Sequence, residues 1–140
     1  MSHKTTHIFE AVGYIHTENR KLLLAKSKKN TAYYMPGGKV NEGESNIQAL
    51  VREIGEELSV NLKPETVLFH GVFEAQAHGK PEGTRVRMTC YVGEHEGVIK
   101  ANNEIEKLEY FSYDEFFKTT DIPPAGTIII KDLKKNNLID

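Results

Sequence analysis

The residues best suited to chemistry in this chain are Glu53, Glu56 and Glu57, within the stretch REIGEELSV (52–60). On a helix, Glu53 and Glu56 are i,i+3 neighbours and Glu53 and Glu57 are i,i+4 neighbours. Their charges repel, and at least one pKa is expected to rise. A divalent cation removes the conflict. Mg²⁺ is a hard ion that takes oxygen ligands, typically a few carboxylates together with substrate phosphate oxygens. The preceding loop, PGGKVNEGES (36–45), is poor in side chains that fill a core. Its Gly37 and Gly38 let the backbone approach a ligand closely and offer it amide and carbonyl groups. A glycine loop running into carboxylates at helical spacing points to a metal-assisted site for a phosphorylated molecule. The plainer reading is a solvated glutamate face, and the Glu56-Glu57 pair taken alone favours it.

These side chains need a helix to hold them. Ser45 with Gln48 three positions later is a capping-box signal for a helix start, and a helix over about 46–58 is predicted. With Leu50 at about 0° and about 100° per residue, Ile47, Ile54, Leu58 and Val51 fall between about 40° and 100°. That stripe must face the core. The three glutamates fall between about 240° and 340°, beside the stripe, and Arg52 falls at about 200°. Upstream, residues 7–17 and 21–27 are apolar runs separated by ENR and read as a hairpin. Residues 66–78 and 84–94 read as long strands around a GKPEG turn. Residues 105–113 read as a further strand, YDEFFK as a short helix, and the segment after Pro123 and Pro124 as a C-terminal helix. Strands and helices so mixed exclude a regular βαβ array and predict a mixed sheet with helices packed on it.

The bulk numbers narrow the function. A chain of 140 residues suits one domain over 1–140. A formal net charge of −2 gives no bulk attraction to a nucleic acid polymer or an anionic membrane. The single cysteine, Cys90, lies in a strand-like setting and reads as a buried, inert thiol. There is no signal-peptide pattern and no bilayer-length apolar run. A cytoplasmic protein acting on a small molecule is expected, as a monomer or homodimer.

The spacing of Gly38, Glu44, Arg52, Glu53, Ile54, Glu56, Glu57 and Val60 resembles the Nudix box, G-x5-E-x7-R-E-U-x-E-E-x-G-U, with U a bulky aliphatic. All six glycine and charged positions up to Glu57 match, as do both aliphatic ones. From average residue usage, a chance match of those six is below roughly one in a million. The box covers 23 residues, Gly38 to Val60, and the chain length and MPGGK segment are compatible with the family. One position departs. Ser59 stands where the signature has its final glycine, which suits a turn at a helix end. Altered local geometry is expected there, without loss of the metal site.

The resemblance implies the Nudix fold, an α/β protein of the α+β type with a mixed β-sheet sandwiched between α-helices. It also implies hydrolysis of a nucleoside diphosphate linked to another group, with Mg²⁺ or Mn²⁺ as cofactor. Carried over by position, Glu53, Glu56 and Glu57 are the metal carboxylates, and the Gly37 carbonyl is a further ligand. Arg52 orients a glutamate by a charge-assisted hydrogen bond, and Glu44 supports the loop-to-helix geometry or an outer-shell water. Glu53, Glu56 or a residue outside the box accepts the proton. An acidic residue from a later loop often joins such sites. Glu104 is the candidate, for metal and catalysis, with Glu106 and Glu109 as rivals.

Other residues have two readings each. Gly38 stands where a phosphate could be contacted, and Lys39 beside it reaches a phosphate or is simply solvated. Strand alternation sends Arg85 and Arg87 to one face, where they bind phosphate or merely face solvent. Tyr33, Tyr34 and Phe73 stack on a base or pack in the core. PPAG (123–126) is a candidate pocket lining, although Gly126 has no side chain to read a base edge. The histidines show no metal-ligand spacing and receive no role. The function expected is hydrolysis of a nucleoside triphosphate, oxidised ones included, to monophosphate and pyrophosphate. ADP-ribose, nucleotide sugars and dinucleotide polyphosphates are the alternatives within the same chemistry. A non-catalytic sensing module would be expected to lose box carboxylates, and this chain keeps every one.

Overall fold

The structure, a computed structural model, describes residues 7–140. Its strands are β1 (His7–Tyr14), β2 (Thr17–Glu18), β3 (Lys21–Ser27), β4 (Gly37–Lys39), β5 (Asn61–Leu62), β6 (Leu68–Gln76), β7 (Thr84–Val92), β8 (His95–Glu96) and β9 (Ile105–Phe111). The helices are α1 (Asn46–Leu58), α2 (Tyr113–Phe117) and α3 (Pro124–Lys135).

A four-stranded mixed sheet, in the order β4-β1-β7-β6, forms the centre. Its middle pair, β1 and β7, is parallel, with His7 opposite Thr84 and Tyr14 opposite Tyr91. The outer pairs are antiparallel. A second sheet, β2-β3-β9, closes one side of a cleft. Alternation along the strands divides the core into two layers. Val12, Tyr14, Leu23 and Tyr91 pack with Ala49, Leu50, Ile54 and Leu58 of α1. Leu22, Leu24 and Cys90 pack instead with Ile129, Ile130 and Leu133 of α3. The sheets are therefore sandwiched between helices, as expected. Cys90 is fully buried, and burial pushes its thiol up to about 12. Among the described residues, no helix is long and apolar enough to cross a membrane.

The predicted hairpin over 7–27 is corrected. Only Thr17 and Glu18 pair with β3, through a two-residue turn at Asn19 and Arg20, both with positive φ. β1 leaves after Tyr14 and joins β4 and β7. Helix α1 matches its predicted span and carries the complete Ser45–Gln48 capping box. Its C-cap, Ser59, sits in the left-handed region at φ 61°. The helix therefore ends in the conformation a glycine would take, with a serine in the strained position.

Candidate active site

Two glycines bring β4 against α1; a side chain at Gly37 would strike backbone, and one at Gly38 would displace the Glu53 carboxylate. Gly37 has φ +143°, and a Cβ there would lie 1.9 Å from the Val12 carbonyl oxygen. A Cβ on Gly38 would lie 2.6 Å from Cδ of Glu53. The loop thus leaves the Glu53 carboxylate room beside bare backbone. The Gly37 N–H donates to Oε1 of Glu57 at 3.1 Å, which joins the loop to the last turn of the helix.

Arg52 organises the opposite flank. Its Nε donates to Glu44 Oε2 at 2.7 Å and its Nη2 to Glu44 Oε1 at 2.9 Å. Nη1 donates to Glu53 Oε1 at 2.7 Å, and Nη2 also reaches the Lys39 carbonyl at 3.1 Å. Glu56 lies 3.6 Å from Nη1. Glu44 in turn accepts the Asn41 N–H at 3.0 Å. The guanidinium beside Glu44, followed by that amide, holds the Glu44 carboxyl down at about 2. One arginine therefore ties the loop to the helix and orients Glu53.

Glu57 shows the opposite effect. Burial pushes its carboxyl up to about 8, and the charges of Glu53 and Glu56 push the same way, against the Gly37 amide. The spacing predicts a raised pKa from repulsion; the structure makes loss of solvent the larger cause.

The last turn of α1 also positions Glu104. The Lys100 N–H donates to the Leu58 carbonyl at 2.9 Å and the Asn102 N–H to that of Glu57 at 3.1 Å. The segment before β9 is thus anchored on helix-end carbonyls that have no partner within the helix. Lys28 N–H holds the Glu104 carbonyl at 2.8 Å from the other side. Glu104 lines the same cleft as Glu53, Glu56 and Glu57. Its rivals point elsewhere: Glu106 pairs with Lys26 at 2.8 Å, and Glu109 stands by Tyr33.

The cleft has a volume of about 710 Å³. Gly37, Gly38 and Lys39 border it at the acidic end, and the Lys39 ammonium lies 4.5 Å from the Phe9 ring centre. Its remaining wall is largely apolar, with Met35, Val86, Met88, Pro123 and Ala125 among the lining.

Arg85 and Arg87 are not brought to the cleft. Their neighbours Val86 and Met88 face it, so alternation sends both arginines to the other face. There Arg87 pairs with Glu10 at 2.9 Å and Glu74 at 3.2 Å, and Arg85 pairs with Glu74 at 3.4 Å. The phosphate-binding reading of these two residues is corrected on that ground. Of the aromatic candidates, Tyr34 lines the cleft, Tyr33 packs edge-on to Phe111 at 4.9 Å, and Phe73 packs against the core. His78 and Lys80, to which sequence reasoning gave no role, line the cleft from the β6–β7 connection.

A hard divalent cation is compatible with this donor set: three carboxylates on one flank of α1, one of them half-buried with its pKa raised chiefly by loss of solvent. Among the described residues, no group of three acidic, histidine or cysteine side chains is gathered tightly enough to hold an ion. An ion of Mg²⁺ type typically takes waters and substrate phosphate oxygens alongside a few protein ligands.

Residues 7–133 match the profile of the NUDIX domain. The chain belongs to the NUDIX family. An ADP-ribose pyrophosphatase of Methanocaldococcus jannaschii is 31% identical over 111 residues, covering 77% of this chain and 64% of that protein. An 8-oxo-dGDP phosphatase of Homo sapiens is 32% identical over 57 residues, covering 39% of this chain and 18% of that protein. This NUDIX chain thus spans less than two thirds of the length of either. Among solved structures, the E. coli ORF135 protein superimposes with a TM-score of 0.71 at 24% identity, covering 96% of each chain. A MutT NUDIX hydrolase from Burkholderia pseudomallei gives 0.73 at 22% identity, covering 89% of this chain and 96% of that one. These two likenesses establish the NUDIX fold.

Proposed function

We propose that this NUDIX protein hydrolyses a phosphoanhydride bond in a small nucleotide derivative with the help of Mg²⁺ or Mn²⁺. The reaction read as best supported converts a nucleoside triphosphate, normal or oxidised, to its monophosphate and pyrophosphate. The observation that carries the proposal is the half-buried Glu57, joined to the Gly37 amide and facing the same cleft as Glu53, Glu56 and Glu104. A bound divalent ion supplies charge neutralisation at the phosphate oxygens and lowers the pKa of water. Glu53, Glu56 and Glu57 are the residues that would hold it, with the Gly37 carbonyl and Glu104 as additional ligands.

The rest falls to the chain itself. Arg52 keeps Glu53 pointed at Gly38 instead of solvent. Gly38 and Lys39 border the acidic end, where phosphates would lie. Water adds to one phosphorus as the bridging oxygen leaves with the other, and one proton must be accepted. Glu53 is hydrogen-bonded by Arg52 and Glu57 by Gly37, whereas Glu56 has only a looser ion pair with Arg52 at 3.6 Å, so Glu56 and Glu104 are read as the carboxylates that accept it. The named activity of the Methanocaldococcus jannaschii relative favours ADP-ribose as the second substrate to consider.

The test is release of phosphate and pyrophosphate from a panel of normal and oxidised nucleoside triphosphates, ADP-ribose, nucleotide sugars and diadenosine polyphosphates. Each is assayed with Mg²⁺, Mn²⁺ and EDTA. Metal-dependent release is expected from one class, lowered about a hundredfold or more in Glu53→Gln and Glu57→Gln. Near-normal turnover in both variants refutes the assignment of these carboxylates. No turnover on any compound refutes the activity.

A further inference from the structure

The cleft extends well beyond the carboxylates. They stand next to β4, at one edge of the central sheet, whereas β6 is at the other edge. Three strand spacings separate those edges, roughly 14 Å, the scale of a nucleotide. At the β6 edge, segments distant in sequence meet around His78 and Tyr34 of the cleft wall. His78 comes from the β6–β7 connection, Thr31 and Tyr34 from the β3–β4 connection, and Asp121 from the α2–α3 connection. Asp121 Oδ1 lies 2.8 Å from His78 Nε2, and Asp121 Oδ2 accepts the Thr31 hydroxyl at 2.6 Å. The Tyr34 ring stands 5.8 Å from the imidazole at 59°. Asp121 thus bridges the two segments, one oxygen on the Thr31 hydroxyl and the other beside the imidazole. Among the described residues, the other ring nitrogen, Nδ1, has no protein partner. Beside this group the wall is Ala77, Val86, Met88, Pro123 and Ala125.

We propose that His78, set by Asp121, reads the nucleobase at this end of the cleft. This rests on the hydrolase reading only for the nucleotide as ligand. A planar base has two apolar faces for the Met88, Pro123 and Ala125 wall and a polar edge for Nδ1. With Nε2 beside Asp121 Oδ1 at 2.8 Å, Nδ1 is the ring nitrogen left for a polar atom on the base edge.

The test uses the whole chain in EDTA, so that no turnover interferes. Calorimetry measures the affinities of AMP, GMP, CMP, UMP and ribose 5-phosphate for the wild type, His78→Ala, His78→Asn and Asp121→Asn. The wild type is expected to bind at least one nucleotide about tenfold more tightly than ribose 5-phosphate. His78→Ala should reduce that preference to about twofold while leaving the affinity for ribose 5-phosphate unchanged, and Asp121→Asn should produce part of the loss. His78→Asn keeps a polar tip and checks that any effect is not a folding defect, as does an unchanged melting temperature. Equal losses for nucleotides and ribose 5-phosphate mean that His78 and Asp121 only staple the loops, and overturn the proposal. A wild type without preference for any base overturns it too. Failure of hydrolysis on every substrate, with base preference intact in EDTA, would remove the proposed activity and leave this site standing.

Discussion

Glu57→Gln separates the electrostatics of the site from its architecture. Glutamine keeps an oxygen for the Gly37 N–H, which the native carboxyl accepts at 3.1 Å, but has no proton to lose. Glu57 titrates near 8 when folded, against an ordinary value of 4.5. Between those values the folded protein holds a proton that the unfolded chain has released, so stability falls as pH rises. At about 1.4 kcal/mol per pH unit, the loss between pH 5 and pH 8.5 approaches about 4 kcal/mol. Solvent reaching this half-buried group brings the expected figure toward about 2 kcal/mol. The variant lacks that loss. Urea unfolding in EDTA should therefore give converging stabilities at pH 5 and a more stable variant at pH 8.5. Groups held low, such as Glu44 and Glu115, titrate alike in both proteins and cancel in the difference. A difference that stays constant with pH to within about 0.5 kcal/mol would refute the account of Glu57 as a carboxyl kept protonated by burial.

Gly38→Ala places a methyl 2.6 Å from Glu53 Cδ, so the carboxylate must leave Arg52. Turnover should fall at least about tenfold while urea unfolding loses only about 1–2 kcal/mol; wild-type turnover would show that the position of Glu53 is immaterial. Ser59→Gly relieves the left-handed C-cap at φ 61° and should raise stability by about 0.5–1 kcal/mol, read as a higher melting temperature. Arg87→Gln breaks exposed pairs with Glu10 and Glu74 on the face away from the cleft. It should change kcat/KM by less than about twofold and stability by at most about 1 kcal/mol, and a large rise in KM would return that arginine to phosphate binding.

Features that depend on neighbours a few residues apart could be read directly from the order of the residues. The phase of α1, its Ser45–Gln48 cap and the common flank of Glu53, Glu56 and Glu57 all follow from the helical repeat and were legible there. So were the alternation of β7 and the divergence of Arg85 and Arg87 from Val86 and Met88, but not which of the two faces met the cleft. That depended on which helix covered which side. The partner of β1 was misread because adjacent apolar runs resemble a hairpin, whereas β1 pairs with β7, far along the chain. Glu104 could not be separated from Glu106 and Glu109 by pattern. Only the tertiary structure places it along the cleft, with Lys100 and Asn102 anchored on the open carbonyls of α1. The His78–Asp121–Thr31 group left no sequence signal, since its members come from three separate connections. Local periodicity records which face a side chain takes. Which faces meet is decided by how the whole chain buries its apolar surface, and only the folded structure contains that information.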